Sequence, residues 1–92
     1  MPNTIEDVVI VAIENYRGRL PDEFVDEYIS LARHGECVIA FENLCDQLFE
    51  FDVIPNDREL AFICKVGRGM SIDPRRWQFL ASPDSLDNSS NE

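Results

Sequence analysis

Positive charge is what this sequence has least of. Eight Lys and Arg stand against eighteen Asp and Glu in 92 residues, a formal net charge of −10. That balance works against direct contact with nucleic acid and in favour of basic partners, whose encounter a negative face accelerates. Histidine occurs once, as His34, so the side chain most suited to acid–base work near neutral pH is almost missing. Beside Gly35, at the end of an expected helix, it reads as a cation on the negative end of a helix dipole. A nucleophile pair of Cys37 and His34 has no defined geometry across that helix break. Cys37, Cys45 and Cys64 are odd in number, lack Cys-x-x-Cys spacing and lie among apolar residues, which fits reduced core thiols rather than disulfides or zinc. The longest apolar run, Val8–Ile13, has six residues, far short of a membrane span. With no basic N-terminal region or cleavage motif, the sequence predicts a cytoplasmic protein. Gly67 and Gly69 flank Arg68 without the strand context of a phosphate-cradling loop.

What is present is a core. Apolar residues make up 45% of the chain, too many for disorder in bulk, and the length fits one domain over residues 1–80 with a disordered, acidic tail over 81–92. The fold class expected is all-α, a small bundle of four to five helices around a central antiparallel hairpin. Thr4 and Asp7 resemble an N-cap with an acid in the first turn, and Ile5, Val9, Ala12, Ile13 and Tyr16 recur at helical spacing, which predicts a helix over Ile5–Arg17. Ile10 and Val11 fall off that stripe, and the β-branched run Val8–Val11 also suits a buried strand. Pro21 opens a second helix with Asp22 and Glu23 at its positive end and Gly35 at its close. Its inner face is Phe24, Tyr28, Leu31 and Ala32. The third, Glu36–Phe51, is the most apolar, with Cys37, Val38, Ala40, Phe41, Leu44, Cys45, Leu48, Phe49 and Phe51 filling half its circumference. Asn56 caps a fourth helix with Leu60, Ile63, Cys64 and Gly67 inward. Asp73-Pro74 opens a short fifth in which Trp77, Phe79 and Leu80 close the core.

The acid is concentrated. From Asp22 to Asp57 there are ten carboxylates and one arginine. Asp22, Glu23, Asp26 and Glu27 line the outer face of the second helix. On the third, Glu42, Asp46 and Glu50 form an i, i+4, i+8 row beside Asn43 and Gln47, on the same side of the hairpin. Ile39 projects into the middle of that polar arc, without an obvious core to join. Such a row can hold a divalent cation, but the Asp-x-Asp-x-Asp-Gly order of a calcium loop is absent and a solvated helix face is the plainer reading. Arg58, Lys65, Arg68, Arg75 and Arg76 make residues 58–76 locally basic. Arg75, Arg76 and Trp77 read alone as a stacking and phosphate-contact set, but the net charge argues against nucleic acid, and the arginines are suited to balance the acidic helices.

The run Glu42-Asn43-Leu44-Cys45-Asp46-Gln47-Leu48-Phe49-Glu50-Phe51-Asp52-Val53, followed by Gly67 to Met70 and by Ile72-Asp73-Pro74 with Trp77, resembles the MafI family of bacterial toxin immunity proteins. Leu20-Pro21 with Phe24 is similar to that family's second-helix start. The likeness spans about residues 16–80, and Glu-Asn-Leu-Cys-Asp-Gln is its most specific part. It implies a small cytoplasmic protein that binds the C-terminal toxic domain of a secreted polymorphic or contact-dependent toxin, often a basic RNase or DNase. It identifies no catalytic residue to carry over, and the residues themselves suggest no cofactor or metal.

The expected function is therefore toxin neutralisation, an acidic helix face covering a basic groove. Asp22, Glu23, Asp26, Glu42, Asn43, Asp46 and Glu50 are the expected contacts, with Ile39 as the desolvated anchor that tight binding needs. Two other classes compete: an acidic nucleic-acid mimic that regulates another basic host protein, and a small metal enzyme, for which no motif speaks. Because relatives that bind different toxins should differ at the interface, a motif shared across the family can serve the fold instead. That leaves Asp22, Asp26 or the basic segment 58–76 as alternative contact surfaces.

Overall fold

The structure, a computed structural model, describes residues 4–80; the tail expected to be disordered, with Asp84, Asp87 and Glu92, lies outside the described residues. Four α-helices run in order, α1 Ile5–Glu14, α2 Asp22–Arg33, α3 Cys37–Glu50 and α4 Asp57–Gly69, followed by two 3-10 turns, Pro74–Arg76 and Gln78–Leu80. The all-α class holds. Val8–Val11 is helix rather than strand, because Thr4 caps the helix through its hydroxyl, accepting from the Asp7 amide at 3.1 Å. Val9, Ala12 and Ile13 are then fully buried on one face, while Val11 is exposed.

Helix α1 stops at Glu14, three residues earlier than the spacing predicts. The amides of Arg19 and Leu20 both turn back to the Tyr16 carbonyl, and Gly18 takes φ +93°, a left-handed turn that suits glycine. Tyr16 still joins the core, with the Arg19 guanidinium 4.7 Å above its ring.

The α2–α3 hairpin forms as expected. Gly35 at φ +85° ends α2, and the amides of Glu36 and Gly35 satisfy the Leu31 and Ala32 carbonyls, a Schellman closure. The same pair of bonds ends α3, from Val53 and Asp52 to Leu48 and Phe49, and ends α4, from Ile72 and Ser71 to Gly67 and Arg68. There the left-handed residues are Asp52 and Ser71, which lack glycine's freedom.

Phe41, Leu44, Cys45 and Leu48 of α3 are fully buried against α1 and α2, each large side chain contributing roughly 1.5–3 kcal/mol by leaving water. Helix α1 is as central as α3, since α2, α3 and α4 all pack on it. Burial pushes the Cys45 thiol up to about 12, so it stays protonated and inert. Cys37 and Cys64 are half-buried.

The fifth helix expected after Asp73 is instead the two 3-10 turns with Trp77 between them. Asp73 does cap, accepting from the Arg75 amide at 3.0 Å, but the stretch is too short to settle into α-helix. Trp77 and Leu80 are buried. Trp77 meets Phe41 edge to face, 5.9 Å between centroids, and covers Gly67 so closely that a β-carbon there would overlap the indole. Gly67 therefore weakens α4 for a packing reason: it lets Trp77 bridge α3 and α4. Phe79, expected in the core, is partly exposed.

Candidate protein-binding face

The acidic residues fall into two groups held by different cations. Arg17, just past α1, reaches Glu14 at 2.9 Å, Asp26 at 2.8 Å and Asp22 at 3.4 Å. Its hydrogen bonds hold the Glu14 carboxyl below the usual carboxylate range and raise the guanidinium further above its already high value. Asp22 and Asp26 thus tie the start of α2 to the end of α1. Glu23, between them in sequence, is exposed and makes no ion pair among the described residues.

The second group lies on α3. Glu42 is 3.6 Å and Asp46 4.0 Å from the Arg76 guanidinium. The Asp73 cap and the buried Trp77 place that arginine, so of the locally basic segment Arg76 faces the acids of α3, while Asp22 and Asp26 of α2 pair with Arg17. The contacts are long and loose. Glu50, last in the row, makes no ion pair among the described residues. The three carboxylates do not converge on a metal-holding cluster among the described residues. No ion pair joins the Arg17 group to the α3 row among the described residues; Asp22 and Asp26 are engaged on the α1 side. Asn43 is half-buried on α3.

Ile39 is 47% exposed. It is not isolated among acids as the helical projection implies: it shares a shallow depression with Ile5, Val38, Gly69 and Met70, where α1, α3 and α4 meet. A larger apolar feature lies at the other end of α3, roughly 15 Å along the helix at 1.5 Å per residue. Phe49 is 58% exposed, and Phe51, Ile54 and Phe79 are also open to solvent. Asp46, Gln47, Phe49, Glu50, Phe51 and Phe79 line an open groove of about 790 Å³.

Val38, Phe49 and Phe51 were expected inside the bundle and are not. Phe49 follows Leu48 by 100° around the helix, which puts it at the rim of the apolar arc rather than its centre. Phe51 stands one residue beyond the last turn. That rim position was the available signal; the partner ring, Phe79, comes from a turn that sequence spacing does not place.

The rings are braced. Phe49 meets Phe79 edge to face at 5.4 Å, Phe51 meets Phe24 the same way at 5.8 Å, and Phe24 stacks on Tyr28 at 6.3 Å. A face with fixed aromatic walls and incompletely neutralised carboxylates has the composition of a protein-binding surface: apolar area for affinity, charge for rate and register. No family model, curated protein or solved structure matches the chain.

Proposed function

We propose that this protein binds and neutralises a basic toxin domain, with the α3 row and its C-terminal end as the contact face. The observation that carries the reading is the coincidence of Asp46 and Glu50 with the exposed rings of Phe49, Phe51 and Phe79 on one groove. Acid alone gives fast encounter; exposed aromatic area beside it supplies the desolvated contact that slows release. The resemblance of residues 42–53 to the MafI immunity proteins supports a toxin as the partner, and a nuclease has the basic substrate groove that such a face complements. The protein acts by occupancy, so its own residues carry no chemical step.

The test is coexpression of the chain with the product of its neighbouring reading frame. The expected result is a one-to-one complex with a basic protein, and survival of cells that otherwise die on expressing that protein. Copurification of a basic host protein encoded elsewhere, with no protection, would make the protein a nucleic-acid-mimicking regulator. Asp46→Asn and Glu50→Gln should each slow association and flatten its salt dependence, whereas Phe49→Ser should raise the off-rate by about tenfold, as expected for loss of a modest anchor.

A further inference from the structure

We propose that the groove at the C-terminal end of α3 receives an arginine side chain presented by a basic protein. The identity of that protein rests on the toxin-neutralising reading; the chemistry of the groove stands on its own residues. Three rings form its apolar surface, Phe49, Phe51 and Phe79; the first and last meet edge to face and Phe51 leans on Phe24, contacts that reduce the side-chain freedom to be lost on binding. An arginine stem and the flat face of its guanidinium lie well against such walls, and aromatic faces attract the cation.

The carboxylates select the same group. Asp46 and Glu50 lie one helical turn apart and border one groove, a spacing that brings their side chains within about 5–6 Å at Cβ. A guanidinium offers two parallel N–H edges to such a pair, whereas an ammonium is a compact, more strongly hydrated point charge. The protein's own cations leave Glu50 unpaired among the described residues and hold Asp46 only loosely, with Arg76 at 4.0 Å. Residues 81–92 carry Asp84, Asp87 and Glu92 with no Lys or Arg, the wrong sign for this groove.

The probe is a fluorescein-labelled peptide with three arginines spaced by Gly-Ser, beside tri-lysine and tri-citrulline versions, titrated into the full chain by anisotropy and by amide chemical shifts. Shifts should centre on residues 46–51 and Phe79, and the order of affinity should be arginine, then lysine, then citrulline. Phe49→Ser and Glu50→Gln should each weaken the arginine peptide by about tenfold, the range of a partly desolvated cation–aromatic or charge-assisted contact. Asp7→Asn, an equal loss of charge on α1 outside the groove, should leave it within about twofold, as for any solvated charge. Equal losses for Asp7→Asn and Glu50→Gln, or no loss for Phe49→Ser, would reduce the attraction to diffuse charge and overturn the proposal. Shifts at Phe49 and Phe79 that grow with protein concentration alone would make a second copy the occupant and overturn it as well. The two readings fail separately. Arginine binding without a copurifying neighbour protein sinks the toxin reading, and toxin binding insensitive to Phe49→Ser sinks the groove.

Discussion

The two acidic regions of this molecule have similar composition and different surroundings. Around Arg17, Glu14, Asp22 and Asp26 close on one guanidinium at 2.8 to 3.4 Å, and their charge is used inside the fold to join α1 to α2. Along α3, Glu42 and Asp46 sit 3.6 and 4.0 Å from Arg76, and Glu50 lies among exposed rings. Carboxylate density alone does not distinguish them. Nor does net charge, since each group sets three carboxylates against one guanidinium; the closeness of the pairing does, together with the exposed rings that give the α3 row an anchor as well as a field.

The comparison can be broken most severely by removing what positions Arg76. Trp77→Ala should destabilise the fold by about 3–5 kcal/mol, and Gly67→Ala by about 1–3 kcal/mol through overpacking against the indole; urea titration measures both. Less drastic is exchange of the two arginines. Arg17→Met should lower stability only slightly, with little change in binding to a basic partner, since exposed ion pairs contribute little. Arg76→Met should leave stability nearly unchanged and steepen the salt dependence of that binding. Reversal of these roles would mean that the Arg17 group is the working face.

Acid offers a further separation. Hydrogen bonds from Arg17, Arg19 and Arg75 hold Glu14, Glu59 and Asp73 below the ordinary carboxylate range, Asp73 at about 2. The unfolded chain, with ordinary carboxyls titrating near about 4, then binds more protons in the interval between. Their stabilisation is complete above about pH 5 and is lost as pH falls toward 2. A melting series across that interval should show the decline, and Arg17→Met should flatten the part due to Glu14.

The smallest effects concern single unsatisfied or strained groups. The Tyr16 hydroxyl is buried without a hydrogen-bond partner, so Tyr16→Phe should be neutral or stabilising by up to about 1 kcal/mol. Asp52→Gly should be neutral or stabilising by several tenths of a kcal/mol, relief of the left-handed φ offset by the freedom glycine adds to the unfolded chain.

The helices, their order and the hairpin were legible because each carries a local signal: Thr4 and Asn56 as caps, Gly35 as a stop, and apolar spacing at 3.6. The buried or exposed fate of residues at the edge of an apolar arc was not. Phe49 and Phe51 look like core in a helical projection, since a projection records angle and not what stands opposite. Ile39 looked alone for the same reason, its neighbours Ile5 and Met70 being distant in sequence. The end of α1 was misplaced because Tyr16 continues the periodicity although the backbone has already turned.

Trp77 follows all four helices in chain order, yet its ring fills the space between α3 and α4 over Gly67. During synthesis the four helices are therefore complete before the side chain that joins two of them has emerged. The seam between α3 and α4 stays open until Trp77 follows, so the core closes on a residue that belongs to none of the four helices. The groove proposed to receive a partner is completed at the same step, because the turn that seats Trp77 carries Arg76 to the acidic row and Phe79 to Phe49.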